Sequence, residues 1–234
     1  MTLDADTLAR RLRDLDPGPP PENERRAAVA LLLRCGDDPQ VLLMRRTERA
    51  GDRWSGQVSL PGGHADAQDE HLLATAQRET FEEVGLRLDL CARPVGRLPV
   101  LQARARNKRL PLFVAPYVFA ETTAMQPVLG PEAARAFWMP LIPAWQGELD
   151  APLAATEDPA EKGEHAVRTF PSWHWDGETV WGMTRHILTS LFAVCWPRTD
   201  QGFASPAAAS HPLETPSESA TKLSTDRRPG PSHP

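Results

Sequence analysis

Three glutamates within five positions, Glu79, Glu82 and Glu83, sit in a segment whose small and apolar residues repeat at helical spacing. At 100° per residue, with Leu73 at zero, Ala76, Thr80 and Val84 fall within about 60° and form a core-facing stripe. The three carboxylates gather within about 100° of one another on the flank. Like charges placed this way weaken a helix unless a cation sits among them. Clustered hard oxygen ligands suit Mg²⁺ or Mn²⁺. Arg78, four residues before Glu82, is spaced to hold a carboxylate in orientation. The pattern predicts a helix over residues 70–84, ended by Gly85 as its C′ residue. Upstream, Leu60-Pro61-Gly62-Gly63 is a tight turn. Its paired glycines let the backbone approach a ligand closely, so that a carbonyl can join a metal shell. A charged helix face alone is usually a solvated surface. A Pro-Gly-Gly turn at a fixed offset from Arg-Glu-x-x-Glu-Glu-x-Gly is a far narrower pattern.

Strand signals surround this helix. Ala27–Leu33 is an apolar run suited to a buried strand, and Val41–Met44 follows a Gly36-Asp37-Asp38-Pro39 turn as its hairpin partner. Leu112–Phe119 reads as a third strand, with Pro116 assigning it to an edge or a bulge. Phe137–Leu141 reads as a fourth. Trp173–Trp181 contains Asp176-Gly177 between aromatic flanks, a hairpin turn. A second helix spans Met183–Trp196. Strands around two helices predict an α+β fold, a sandwich with a mixed sheet.

The ends differ from the middle. Leu8, Leu12 and Leu15 suit a short amphipathic helix, followed by the Pro-rich stretch Pro17–Asn23. Residues 1–24 therefore read as an N-terminal extension with a linker, 25–196 as the folded domain, and 197–234 as a tail too poor in apolar residues to fold. Twenty-six Lys and Arg against 31 Asp and Glu leave a net charge of −5, which argues against a nucleic-acid-coating protein. No apolar run reaches the ~20 residues of a membrane span, and the first residues lack a secretory layout. Three cysteines without a C-x-x-C pair fit a reducing cytosol and hence a cytoplasmic protein.

The segment Gly56–Leu86 resembles the box of the Nudix hydrolase superfamily, G-x5-E-x7-R-E-U-x-E-E-x-G-U, where U is aliphatic. Its second half stands here as Arg78-Glu79-Thr80-Phe81-Glu82-Glu83-Val84-Gly85-Leu86. In the first half, the sixth residue after Gly63 is Asp69, and Arg78 follows nine later instead of eight. Glu70 has the correct spacing to Arg78 but places His64 at the Gly position, so the alignment that keeps Gly63 is preferred. Gly56-Gln-Val-Ser-Leu-Pro-Gly-Gly63 and Asp69-x5-Thr75-Ala76-x-Arg78-Glu79 resemble one branch in particular, the coenzyme A pyrophosphatase-like proteins. Leu42–Thr47, Trp54-Ser55-Gly56-Gln57, Val114–Phe119, Pro131-Glu132 and Trp138–Leu141 continue the likeness, which spans residues 25–196 in order.

The resemblance implies a Nudix-type α/β/α sandwich and a metal-dependent pyrophosphohydrolase. The expected substrate is a small diphosphate, coenzyme A or its acyl derivatives, cleaved to 3′,5′-ADP and phosphopantetheine. ADP-ribose, dinucleotide polyphosphates, nucleoside triphosphates and a non-catalytic Nudix-like regulator are the alternatives. Glu79, Glu82, Glu83 and the Gly62 carbonyl are implied as ligands of Mg²⁺ or Mn²⁺, with Gly63 beside them. Glu79 or Glu83 orients or deprotonates the water, Arg78 is a structural partner, and Asp69 supports the site. Glu132 is the candidate acid from a distant loop. Arg49 or Arg53 is favoured over Arg45, Arg46 and the Arg104–Arg109 cluster for a 3′-phosphate. Nucleic acid and membrane are not expected partners; a homodimer is admitted.

Overall fold

Continuous apolar runs such as Ala27–Leu33 need cover on both faces, and the chain supplies it. A computed structural model describes residues 1–15, 17–18, 24–51, 54–105, 108–156 and 167–197. In chain order the elements are α1 (Ala5–Asp14), β1 (Arg25–Arg34), β2 (Gln40–Arg46), β3 (Val58–Ser59), β4 (Gly62–His64), α2 (Leu72–Val84), α3 (Leu88–Cys91) and β5 (Ala92–Arg97). There follow β6 (Leu101–Ala105), β7 (Lys108–Glu121), β8 (Ala133–Pro140), α4 (Leu141–Gln146), β9 (Asp150–Thr156), β10 (Val167–Trp175), β11 (Glu178–Val180) and α5 (Gly182–Cys195).

The main sheet runs β3-β2-β1-β7-β5, with β4 also on β1, β6 on β7 and β8 on β2. It is mixed: β1 and β7 are parallel over nine residue pairs, and the other pairings are antiparallel. A three-stranded sheet, β11-β10-β9, accompanies it. Alternate residues of β1 and β2 serve two cores. Leu31, Leu33, Val41 and Leu43 join the cluster shared with α1 and α5, while Ala28, Ala30, Leu32, Leu42 and Met44 join the one beneath α2. The architecture is the expected α+β sandwich, with helices on both faces of a mixed sheet. No helix among the described residues is long and apolar enough to cross a membrane.

Four expectations need correction or refinement. The carboxylate helix starts at Leu72, not residue 70, because the His71 side chain accepts the Ala74 amide and caps it. Strand β7 is central, not an edge. Pro116 is tolerated because its missing donor falls where the neighbouring strand breaks between Arg97 and Leu101; Leu98 N still donates to Pro116 O at 2.9 Å. The fourth strand begins at Ala133 and ends at Pro140, with Leu141 opening α4. Helix α1 exists and is docked: Leu8 and Leu12 are buried, Leu15 is exposed, and Leu3 bridges to Gly36. Leu3, Leu8 and Leu12 thus join the core from the N-terminal extension. The Asp176-Gly177 turn has φ of 50° and 79°, as a type I′ hairpin requires. The 198–234 tail, most of the linker, and Arg53 lie outside the described residues.

Candidate active site

The site grows from the contact between β4 and α2. Strand β4 lies antiparallel on β1, pairing Ala28 with Gly63 and Val29 with Gly62. At Gly62 a side chain would meet backbone, and at Gly63 it would displace the Glu79 carboxylate. A Cβ on Gly62, at φ 151°, would stand 2.3 Å from the Ala28 carbonyl oxygen, and one on Gly63 would stand 2.4 Å from the Glu79 carboxyl carbon. Gly62 therefore lets β4 lie close on β1, and Gly63 leaves room for the Glu79 carboxylate of α2. At the other end, Gly85 in the left-handed region closes α2.

Glu83 is the most enclosed of the three glutamates, with its side chain 3% exposed. The Gly62 amide donates to its Oε2 at 2.8 Å, and Arg46 Nη1 lies 3.5 Å from Oε1. Burial nevertheless dominates and pushes its carboxyl up to about 8. Glu79, half-buried, is raised by the same cause. Glu82 is exposed at the outer rim.

Arg78 ties the face together. Its Nε and Nη2 grip Asp69 at 3.0 and 2.9 Å, its Nη1 reaches Glu79 at 2.9 Å and Glu82 at 3.3 Å, and Nη2 also donates to the His64 carbonyl. Asp69 accepts from the Thr75 hydroxyl and the Asp66 amide as well, and the Arg78 guanidinium holds its carboxyl well below the usual range. Asp69, not the exposed Glu70, is the acid that Arg78 clasps, in keeping with the alignment that retains Gly63. Asp66 caps its own turn by accepting the Gln68 amide.

Glu132 arrives from the segment before β8. Its carboxylate lies 3.3 Å from Arg49 Nη1 and 3.6 Å from Arg46 Nη2, and its charge raises Glu79 and Glu83. The structure thus brings Glu79, Glu82, Glu83, Arg78, Gly62, Gly63, Glu132 and Arg49 into one region. The Ser55 hydroxyl, from the Trp-Ser-Gly-Gln stretch, accepts the Arg49 amide at 2.8 Å.

Arg46 is the site member the sequence underweighted. Successive residues of β2 face opposite ways, so Arg46 meets Glu83 and Glu132 while Arg45 lies 3.9 Å from Glu178 on the far side. The tryptophans pack rather than form an open platform: Trp173 is buried against Phe192, Trp181 lies against Phe170, and Trp175 Nε1 donates to Trp138 O.

Five carboxyl groups (Asp69, Glu79, Glu82, Glu83, Glu132) share three guanidiniums (Arg46, Arg49, Arg78), an excess of two negative charges when all five, the buried Glu83 included, are ionised. Hard oxygen donors with that excess fit a divalent cation. Among the described residues no His, Cys, Asp or Glu trio is already closed into a metal cage; guanidiniums stand between the carboxylates.

A family model described as NUDIX domain matches residues 24–159. The chain belongs to the Nudix family. Members hydrolyse pyrophosphate bonds and generally use divalent metal ions. The chain is 31% identical over 172 residues to an uncharacterized Nudix hydrolase NudL of Pectobacterium atrosepticum, covering 74% of this chain and 83% of the relative. It is 32% identical over 179 residues to the NudL of Photorhabdus laumondii subsp. laumondii, covering 74% and 88%. Among solved structures, a MutT/nudix family protein from Enterococcus faecalis aligns with 18% identity and a TM-score of 0.48, over 75% of this chain and 63% of that one.

Proposed function

We propose that this Nudix hydrolase cleaves the diphosphate linkage of coenzyme A or its acyl derivatives in the cytoplasm. The observation that carries the reading is the meeting of the box carboxylates with Glu132, Arg46 and Arg49, which sets phosphate-binding cations beside acids able to serve a metal and a water. The branch signature in Gly56–Gly63 supports the choice of substrate.

Glu79, Glu82, Glu83 and the Gly62 carbonyl would hold Mg²⁺ or Mn²⁺, which supplies charge neutralisation at the diphosphate and activation of water. The residues of the chain then have distinct tasks. Arg78, anchored on Asp69, fixes the Glu79 carboxylate. The Gly62 amide fixes one oxygen of Glu83. Glu132 joins Glu79 and Glu83 as an acid able to orient or deprotonate the attacking water. Arg49, 46% exposed at its side chain and bonded to Glu132 and the Pro131 carbonyl, would turn the open part of its guanidinium toward the 3′-phosphate of coenzyme A. Arg53 is the other candidate for that contact.

The test is a panel of coenzyme A, 3′-dephospho-coenzyme A and ADP-ribose with Mg²⁺ or Mn²⁺, resolved by product. Arg49→Ala should lower kcat/KM for coenzyme A roughly 10–100-fold and leave the dephospho form nearly unchanged; Arg53→Ala is compared in parallel. A parent that hydrolyses ADP-ribose and neither coenzyme A form overturns the substrate assignment.

A further inference from the structure

The segment bearing Glu132 is fastened to the catalytic helix itself. The last turn of α2 leaves carbonyls without helical partners, and these accept from the loop between β7 and β8. Gly130 N donates to Glu83 O at 2.9 Å, and Val128 N donates to Val84 O at 2.9 Å. The approach is so close that a Cβ on Gly130 would stand 2.0 Å from the Glu82 carbonyl oxygen. From the other side, Thr47 N donates to Glu132 O at 2.9 Å, its hydroxyl donates to Pro131 O at 3.1 Å, and Arg49 Nη2 reaches the same carbonyl at 3.3 Å. Gly130-Pro131-Glu132 is therefore pinned between the end of α2 and the end of β2. Pro131 adds a fixed φ at the middle of the clamp.

We propose that Gly130 is a positioning residue for the reaction: by letting the loop backbone touch the carbonyls of Glu82 and Glu83, it sets Glu132 at a fixed distance from the box carboxylates. Nothing in the box pattern calls for this glycine. The inference rests on Glu132 acting in catalysis. A side chain at residue 130 must open the seam by about 1 Å, and a displacement of that size at a reacting group costs on the order of 10²-fold in rate.

The experiment compares parent, Gly130→Ala, Thr47→Val, Glu132→Gln and the two double variants with Glu132→Gln, on whichever diphosphate the parent hydrolyses fastest. Amide hydrogen exchange at Val128 and Gly130 is measured on the same proteins. In the parent both amides exchange slowly. Gly130→Ala should speed that exchange and lower kcat about 100-fold with KM changed less than threefold. Thr47→Val, which deletes only a hydroxyl, should lower kcat about two- to fivefold. Neither change should lower kcat further once Glu132 is glutamine, because both act through that carboxylate. Fast exchange in the parent, or full additivity with Glu132→Gln, overturns the proposal. If Gly130→Ala does not fold, Thr47→Val decides by the same comparison: a kcat equal to that of the parent overturns it. A parent inactive on every diphosphate would instead refute the proposed function and leave the exchange result to judge the clamp. Unchanged activity in Glu132→Gln removes the acid from the mechanism and the positioning role with it.

Discussion

Glutamine at residue 83 should make the metal-free protein more stable while abolishing its chemistry. The Glu83 side chain is 3% exposed, meets the Gly62 amide at 2.8 Å and has Arg46 only at 3.5 Å, so burial outweighs its partners and lifts its carboxyl from 4.5 to about 8. The folded value lies above the unfolded one. The stability this group contributes is therefore whole below pH 4.5 and is lost as the pH rises toward 8. At pH 7 the interval above 4.5, at about 1.4 kcal/mol per unit, bounds the loss near 3 kcal/mol. Structural relaxation leaves about 2 kcal/mol, since surrounding dipoles respond to the charge. Glutamine keeps an oxygen for the Gly62 amide and never ionises. In a chelator, Glu83→Gln should melt about 4–8 °C above the parent at pH 7. Its Tm should stay flatter than the parent's from pH 5 to 8.5. Added Mg²⁺ should raise the parent's Tm and barely move the variant's, and diphosphate turnover should fall at least 100-fold. A variant that melts at or below the parent in chelator at pH 7–8.5 refutes the argument, because burial would then not be the dominant influence on this carboxylate.

Arg78→Lys keeps the charge but loses the fork on Asp69, and should cost about 2 kcal/mol by urea unfolding; an unchanged midpoint would show that the bidentate grip contributes nothing. Gly62→Ala drives a methyl into the Ala28 carbonyl and should cost about 3 kcal/mol, read by the same method, whereas a neutral result would mean β4 can shift freely on β1. Leu12→Ala empties a buried position under α1 and should cost about 3 kcal/mol; a loss below about 0.5 kcal/mol would make the helix a loose appendage after all. Asp69, held low by Arg78, contributes stability above its unfolded value that is lost as the pH falls, so the parent's Tm should drop more steeply below pH 4 than that of Asp69→Asn.

What was legible in the sequence was local. The helix with its carboxylates, the Pro-Gly-Gly turn and the Gly85 stop lie within 31 consecutive positions, and their geometry follows from helical spacing and backbone sterics. Glu132 could be singled out only through the resemblance of its acidic turn to the family's, and its place beside Glu83 depends on Thr47 and the end of α2, both far away in sequence. Arg46 and Arg45 are indistinguishable until strand pairing decides which face each takes. Pro116 misled for the same reason: a missing donor normally marks an edge, and only the break between β5 and β6 makes it harmless in a central strand. Leu15 completes a leucine stripe on paper, yet α1 ends at Asp14 and that side chain stays in solvent.

The parallel pairing of β1 with β7 joins residues 25–33 to residues 112–120, and every box residue lies in the stretch of chain between them. During synthesis α2 leaves the ribosome before the strand that completes its platform has been made. Thirteen residues of helix crowded with acids are too short to persist alone. Assembly of the catalytic face thus waits on a long-range closure, a slow kind of folding event. A nascent chain halted before residue 112 carries the whole signature motif without the strand on which its candidate site is assembled.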